Sequence, residues 1–289
     1  MNLTVANTRL EEFYRIIEAE AVTGDVESFA EPLKVGVDLG TANIVIAVTD
    51  AAGRPVAGIS RRATVVRDGV VVDYLGAVRI VQQLKSLLEE RLGRELQSAS
   101  CAIPPGIHPG NVRVITNVLE GAGFEVDQVI DEPAAAACAL GLTDGAVVDV
   151  GGGTTGISIL RNGEVIYSAD EATGGTHMSL VLAGAFGVSF DEAEEMKLNP
   201  EEEGRIFPVI RPVMEKMASI VQRFLEGYTV DMVYVVGGAC SFKEFEAVFE
   251  KSTGVRTVKP VHPLLVTPLG IALCSSGKTG KDARRETRE

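Results

Sequence analysis

The sequence has no tryptophan, three histidines and four cysteines among 289 residues. The cysteines, Cys101, Cys138, Cys240 and Cys274, are scattered, with no CxxC and no paired spacing. That argues against a disulfide-stapled secreted scaffold and predicts buried free thiols in a reducing compartment. His108, His177 and His262 stand alone, so no cluster has metal-ligand spacing. No apolar run reaches the ~18 residues of a membrane helix, and the N-terminus lacks the basic-then-apolar order of a signal peptide. Basic residues are also in deficit: 27 Lys and Arg face 40 Asp and Glu, a net charge of -13. An acidic surface speaks against nucleic acid and anionic membrane as partners. An anionic ligand would have to be held by local groups, and the cytoplasm is the expected location.

What is present is a 46% hydrophobic composition, enough for roughly two domains, and an internal near-repeat. Residues 33–48 read LKVGVDLGTANIVIAV, followed by AAGRPVAG; residues 145–160 read GAVVDVGGGTTGISIL, followed by RNGEVIYS. Each copy is an apolar strand ending in Asp-x-Gly, a small-residue turn, a second strand, a turn (Ala52-Gly53, Asn162-Gly163) and a third strand. Asn-Gly between apolar runs signals a hairpin because both residues tolerate positive φ. Two antiparallel meanders are predicted, one opening each half.

Helical spacing follows each meander. Thr8 with Glu11 has the form of a capping box, and Leu10, Phe13, Tyr14 and Ile17 then share one face of an N-terminal helix expected to pack on the body. A polar, acidic connection follows over Gly24 to Pro32. Val78, Val81, Leu84, Leu88 and Leu92 line one face of another helix. A strand at Cys101–Pro104, a helix around Asn111–Gly121 and a strand at Val126–Ile130 come next. An alanine-rich helix over Glu132–Leu142 has Pro133 at its start, where a missing N–H does no harm. The second half predicts helices at Met178–Phe186, Phe207–Glu226 and Phe242–Lys251, a strand at Met232–Val236 and a last helix at Thr267–Ser275. From Lys278 the chain is charged and expected to be disordered. Two α/β halves imply two lobes with a cleft between them.

The chemistry-bearing residues cluster at the repeats. Asp38-Leu39-Gly40-Thr41-Ala42-Asn43 and Asp149-Val150-Gly151-Gly152-Gly153-Thr154 are turns of small residues that offer backbone N–H groups to an anion. A glycine triplet after a buried strand costs stability, so close approach to a ligand explains it better. Facing each other, the loops would clamp a polyphosphate. Asp38 and Asp149 end strands beside them and are placed to hold Mg²⁺ through its waters. Glu132 sits at a helix N-terminus, where it either meets the helix dipole or orients an attacking water. Gly237-Gly238 after MVYVV would lie along adenine or ribose. Gly174-Gly175 is a further glycine turn, either a phosphate contact or a plain loop.

These motifs resemble the superfamily of actin, sugar kinases and DnaK-type chaperones. GVDLGTANIVIAV resembles its first phosphate motif, VVDVGGGTTGISIL its second, IDEPAAAACALGL its first connecting helix and VVGGACSF its adenosine motif. The four fall in the expected order over roughly Leu33 to Ser275. VVRDGVVVDYLGAVRIV, VLEGAGFEVDQVIDEP and YSADEATGGTH resemble the EutJ family of ethanolamine-utilisation proteins more closely. The resemblance implies an actin-like ATPase fold: two ribonuclease H-like lobes around a nucleotide cleft. It divides the chain into an N-terminal helix and linker (1–32), lobe I (33–144), lobe II with its last helix returning toward lobe I (145–276) and a tail (277–289). It implies ATP and Mg²⁺ as cofactors, with Asp38 and Asp149 around the metal and Asp149 and Glu132 as catalytic carboxylates. Gly40, Thr41, Ala42, Asn43, Gly152, Gly153, Thr154, Gly174, Gly175, Gly237 and Gly238 would bind nucleotide, and Glu215 would contact the ribose.

Three departures bear on activity. Gly156 stands where the DnaK-type motif has an acidic residue. No lysine occurs between Lys34 and Lys85, and no arginine there clearly replaces the usual phosphate-facing lysine, so hydrolysis should be slow. Arg79 and Lys85 are the first residues to examine for a missing cation. No peptide-binding domain follows the last helix. The expected function is an ATP-binding, chaperone-like protein of ethanolamine utilisation with weak Mg-dependent ATPase activity. It would couple lobe closure to a protein partner from the pathway or its microcompartment. A non-turning-over scaffold, a small-molecule kinase, a filament and a homo-oligomer remain the alternatives.

Overall fold

The computed structural model describes residues 3–24 and 28–277. The tail expected from Lys278 and residues 25–27 of the linker lie outside them. The helix α1 (Thr4–Ala19) is followed by the meander β1 (Lys34–Leu39), β2 (Asn43–Thr49) and β3 (Pro55–Arg62). A small ribbon of β4 (Val66–Arg67) and β5 (Val70–Val71) leads to α2 (Tyr74–Leu92), β6 (Ser98–Ile103), α3 (Pro109–Gly121), β7 (Glu125–Asp131) and α4 (Glu132–Leu140). The second half runs through β8 (Gly145–Val150), β9 (Thr155–Arg161), β10 (Glu164–Glu171), α5 (Gly175–Phe186), α6 (Phe190–Leu198) and α7 (Glu203–Leu225). It ends with β11 (Met232–Val236), α8 (Phe245–Thr253), β12 (Arg256–Val258) and α9 (Val266–Cys274).

The repeat becomes two five-stranded sheets of one topology, β3-β2-β1-β6-β7 and β10-β9-β8-β11-β12. In each the meander is antiparallel and the later strands join in parallel. The expected turn residues do their work: Asn162 and Gly163 adopt φ of 54° and 81°, the backbone of a tight hairpin. Strand ends carry the loops, so this topology brings Asp38 and Asp149 to equivalent places.

Each lobe has its own core. Ala77, Val81, Leu84, Leu88 and Leu92 seat α2 on the first sheet. Ile206, Ile210, Met214, Met217 and Val221 seat α7 on the second. Burying each of the valine, leucine, isoleucine and methionine side chains among them contributes about 1.5–3 kcal/mol. A third core joins Leu10 and Phe13 of α1, Ala136 and Leu140 of α4, Leu269 and Ala272 of α9, and strand residues Val45 and Val236 from the two sheets. The connecting helices exchange places in it. The helix α4 packs on β8 and β9 of the second sheet, while α9 packs on β1 and β2 of the first.

The helix α1 packs on the body, though its start differs from the expectation. It begins at Thr4, so Thr8 lies a full turn inside, its hydroxyl donating to the Thr4 carbonyl at 2.9 Å. The Thr8–Glu11 capping box therefore does not form. Glu11 pairs instead with His262 at 2.9 Å, and Tyr14 stacks on the His262 ring at 3.9 Å. The helix α6 was not anticipated, although its Ser189–Glu192 capping box is the sequence signal for one.

Candidate functional site

The two glycine loops meet. A Cβ placed on Gly152 would lie 3.2 Å from the Thr41 Cβ, and one on Gly153 only 2.8 Å from the Thr41 hydroxyl. Thr154 is buried at the base of its loop. Behind the contact opens a cleft of about 500 Å³ between the sheets, the size of a small-molecule site. Asp38, Gly40, Thr41, Ala42 and Asn43 line it from the first lobe; Asp149, Gly152, Gly153, Thr154, Gly237 and Gly238 line it from the second, with Glu132 between. Gly237 has φ of 91°, and its missing side chain leaves room for the Asp149 carboxylate.

Four carboxyl groups crowd this point. Loss of water, then the charge of Asp149, pushes Asp38 up to about 7. Burial pushes Asp149 up to about 6, opposed by the Thr267 hydroxyl donating to its Oδ2 at 2.5 Å. Burial, then Asp149 and Asp38, raise Glu132 well above the usual carboxylate range. Asp170 is raised to about 7, first by burial.

Two expected positions fall away from the cleft wall. Glu215 is exposed and bonded to Arg211 at 3.0 Å, beside a separate shallow pocket that includes Glu244 and Lys251. It lies twelve residues beyond the cleft-lining Glu203, about 18 Å along the same helix. Gly174 does not line the cleft, because it packs against the carbonyls of Gly151 and Gly152. Gly175 does line it. The amides of Gly175 and Thr176 donate to those carbonyls at 2.9 and 2.8 Å, so the turn buttresses the second glycine loop.

The structure supplies groups that sequence reasoning missed. Arg62 ends β3 directly opposite Asn43 and lines the cleft. It reaches to within 3.9 Å of Glu194 in the other lobe. Lys197 lines the cleft too, donating to Glu194 at 2.5 Å, Ser179 Oγ at 2.8 Å and the Gly175 carbonyl at 3.1 Å. Burial lowers its pKa while Glu194 opposes the shift. Of the cations first suspected, Lys85 pairs with Glu89 at 3.0 Å, and neither it nor Arg79 lines the cleft. The acid missing at Gly156 has a neighbour: Asp170 pairs with it across the sheet, and a Cβ on Gly156 would sit 3.2 Å from Asp170 Oδ1. That oxygen is buried without a hydrogen-bond partner.

Comparison with known proteins agrees with this geometry. The MreB/Mbl protein family matches residues 51–183, and the type IV pilus assembly protein PilM family matches residues 134–265. The ethanolamine utilization protein EutJ of Escherichia coli K12 is 48% identical over 86% of this chain and 87% of its own. That of Salmonella typhimurium is 45% identical over 89% and 91%. The crystal structure of EutJ from Carboxydothermus hydrogenoformans superposes with a TM-score of 0.88 at 47% identity, covering 94% of this chain and 99% of the other. MreB5 of Spiroplasma citri bound to AMPPNP gives 0.70 at 18% identity over 89% and 98%, and the PilM–PilN type IV pilus biogenesis complex gives 0.70 at 16% over 84% and 98%. Those two show the fold alone. With the same two-sheet architecture and close identity over most of its length, the chain belongs to the EutJ family of ethanolamine utilization proteins, on the actin-like ATPase fold.

Proposed function

We propose that the protein binds ATP in this cleft as a chaperone-like factor of ethanolamine utilisation, with slow Mg-dependent hydrolysis coupled to binding a partner protein. The observation that carries the reading is the meeting of the two glycine loops over the crowded carboxyls. Only glycine permits so close an approach, and the loops' backbone N–H groups suit phosphate oxygens. An actin-like relative of known structure is bound to AMPPNP and another sits in a complex with PilN, which supports a nucleotide and a protein partner.

The residues fit Mg²⁺ held through its waters. Asp38, Asp149 and the orphaned Asp170 oxygen are acceptors without a nearby cation to neutralise them. When bound, the ion would neutralise phosphate charge. Thr41 and Thr154 would contact the phosphates, and Gly237 and Gly238 would pass beneath the adenosine. Glu132 would orient water once its carboxyl is ionised.

The slowness follows from the cations. Lys197 has all three donors engaged within its own lobe, so it cannot lend its full charge to a transferring phosphoryl group. Arg62 is more exposed and only loosely paired. The same neutralisation favours a second reading, an ATP-holding scaffold with no useful turnover.

Calorimetry with MgATP tests the core of the proposal. Millimolar or tighter binding should be seen, and Asp149→Ala should weaken it at least about tenfold, about 1.4 kcal/mol. Absence of binding at millimolar MgATP would sink it. Co-purification with the ethanolamine-utilisation proteins, with and without ATP, tests the partner. Recovery independent of nucleotide would refute the coupling.

A further inference from the structure

The helix α1 has two working faces. Ala6, Leu10, Phe13 and Ile17 recur at helical spacing, and this stripe seats α1 on β3 and on the core between the lobes. A Cβ on Gly58 of β3 would overlap the Phe13 ring, so the helix lies close against the first sheet there. Asn7, Glu11 and Tyr14 form a second stripe, and all three touch one short segment that follows β12. The Asn7 side-chain oxygen accepts the Val261 amide at 3.2 Å. The His262 Nε2–H donates to Glu11 at 2.9 Å, and Tyr14 stacks on the same ring at 3.9 Å, 7° from parallel. The helix thus straps the first sheet to the segment 261–265 of the second half.

That segment borders the cleft. His262 has φ of 46° and ψ of 57°, a left-handed backbone that few residues other than glycine adopt. Such a conformation persists where the surroundings hold it, and here the contacts with α1 do so. The residues that follow lie directly against the Gly237–Gly238 turn. The Pro263 carbonyl accepts the Gly237 amide at 2.9 Å, and a Cβ on Gly238 would meet Leu264 at 3.1 Å. Leu264 lines the cleft, as does Thr267, whose hydroxyl donates to Asp149. His262 and Pro263 are neighbours in the chain, so the ring clasped by α1 and the carbonyl bonded to Gly237 move together.

We propose that α1 positions the Gly237–Gly238 turn through His262, and so sets the affinity of the cleft for nucleotide. Glu11, Tyr14 and His262 are positioning residues, since none of them lines the cleft. The first half of the proposal needs only the contacts of α1; the second half rests on the ATP reading above. The coupling runs through direct contacts in a row, from Glu11 and Tyr14 to His262 and from Pro263 to Gly237. With α1 docked, the His262 ring is fixed and the left-handed turn is held. With α1 released, His262 loses both side-chain partners and relaxes from that backbone, drawing the Pro263 carbonyl from the Gly237 amide.

Two measurements on the full chain test it. The first is amide hydrogen exchange over residues 236–241 in the nucleotide-free protein. His262→Ala should speed it about tenfold or more and leave α2 unchanged. The second is calorimetry with MgATP, where His262→Ala should weaken binding about fivefold or more. Glu11→Ala should act in the same direction by a smaller factor, because the Tyr14 stacking remains. Glu11→Gln keeps an acceptor for the Nε2–H and should restore wild-type behaviour in both measurements. Unchanged exchange over residues 236–241, an equal increase in α2, or full MgATP affinity in both alanine variants would each overturn the proposal. Wild-type protein that binds no MgATP would overturn the second half together with the ATP reading, and the exchange measurement then decides the first. Should His262→Ala fail to fold, Glu11→Ala and Glu11→Gln carry the comparison, because Glu11 lies at the surface.

Discussion

Asp38→Asn should make the protein more stable in alkaline solution while weakening Mg-dependent nucleotide binding. A carboxyl that ionises at about 7 in the fold and at 3.8 in the unfolded chain costs about 4 kcal/mol of stability at pH 8. Asp38 borders an open cleft, so solvent reduces that to about 2–4 kcal/mol. The sign is fixed by proton count. The folded state holds this proton more tightly, so stability falls as pH rises from about 4 to about 7 and then levels off. Asparagine keeps the shape and removes the charge, and it also relieves Asp149. For a chain of this size the variant should melt roughly 4–8 °C higher at pH 8, and at pH 5 the gain should shrink to about two-fifths of that. Differential scanning calorimetry without nucleotide or metal measures both. An equal shift at both pH values, or a loss at pH 8, would refute the argument that desolvation, with repulsion from Asp149 behind it, makes an ionised Asp38 costly in this cleft.

Glu132→Gln should cut single-turnover hydrolysis at least about tenfold and leave ATP affinity within about twofold, as expected for a group acting on water alone. Wild-type turnover should stay well below ~10 s⁻¹ without a partner, measured by phosphate release; a faster rate would mean that Arg62 acts as a full phosphate-facing cation. Arg62→Ala should then slow the residual hydrolysis, with circular dichroism unchanged because the side chain is exposed and loosely paired. Phe13→Ala should cost about 3–5 kcal/mol in urea unfolding, because its fully buried ring fills the space left by Gly58 and joins the core between the lobes.

The repeat in the sequence foretold the two like sheets and the facing loops because hairpin signals and strand-end aspartates are local. Glu132 was legible for the same reason, Pro133 marking the helix start beside it. Arg62 was within reach of the same reasoning. A meander turning at Ala52-Gly53 pairs residue 43 with residue 62, so its place beside the first glycine loop follows from counting register. Asp170 was not reachable in that way: counting from the Asn162-Gly163 turn places Ala169 opposite Gly156, and only a bulge between Val165 and Tyr167 shifts the register by one to bring Asp170 there. Lys197 was beyond such counting. It reaches the cleft only because α6 folds back against α5, a tertiary contact that no local pattern encodes. Glu215 is the opposite case: it lies outside the cleft lining, because its position along a long helix, and not its residue type, decides what it touches.

That exchange of connecting helices also sets the order in which the chain can finish folding during synthesis. Lobe I leaves the ribosome first, yet the inner face of β1 and β2 stays bare until α9, ending at Cys274, has emerged. More than two hundred residues of synthesis separate that face from its cover, and a nascent apolar sheet is prone to aggregate while it waits. Fragments divided between Leu142 and Gly145 would each lack the helix that covers their sheet, so the halves should be soluble only when produced together.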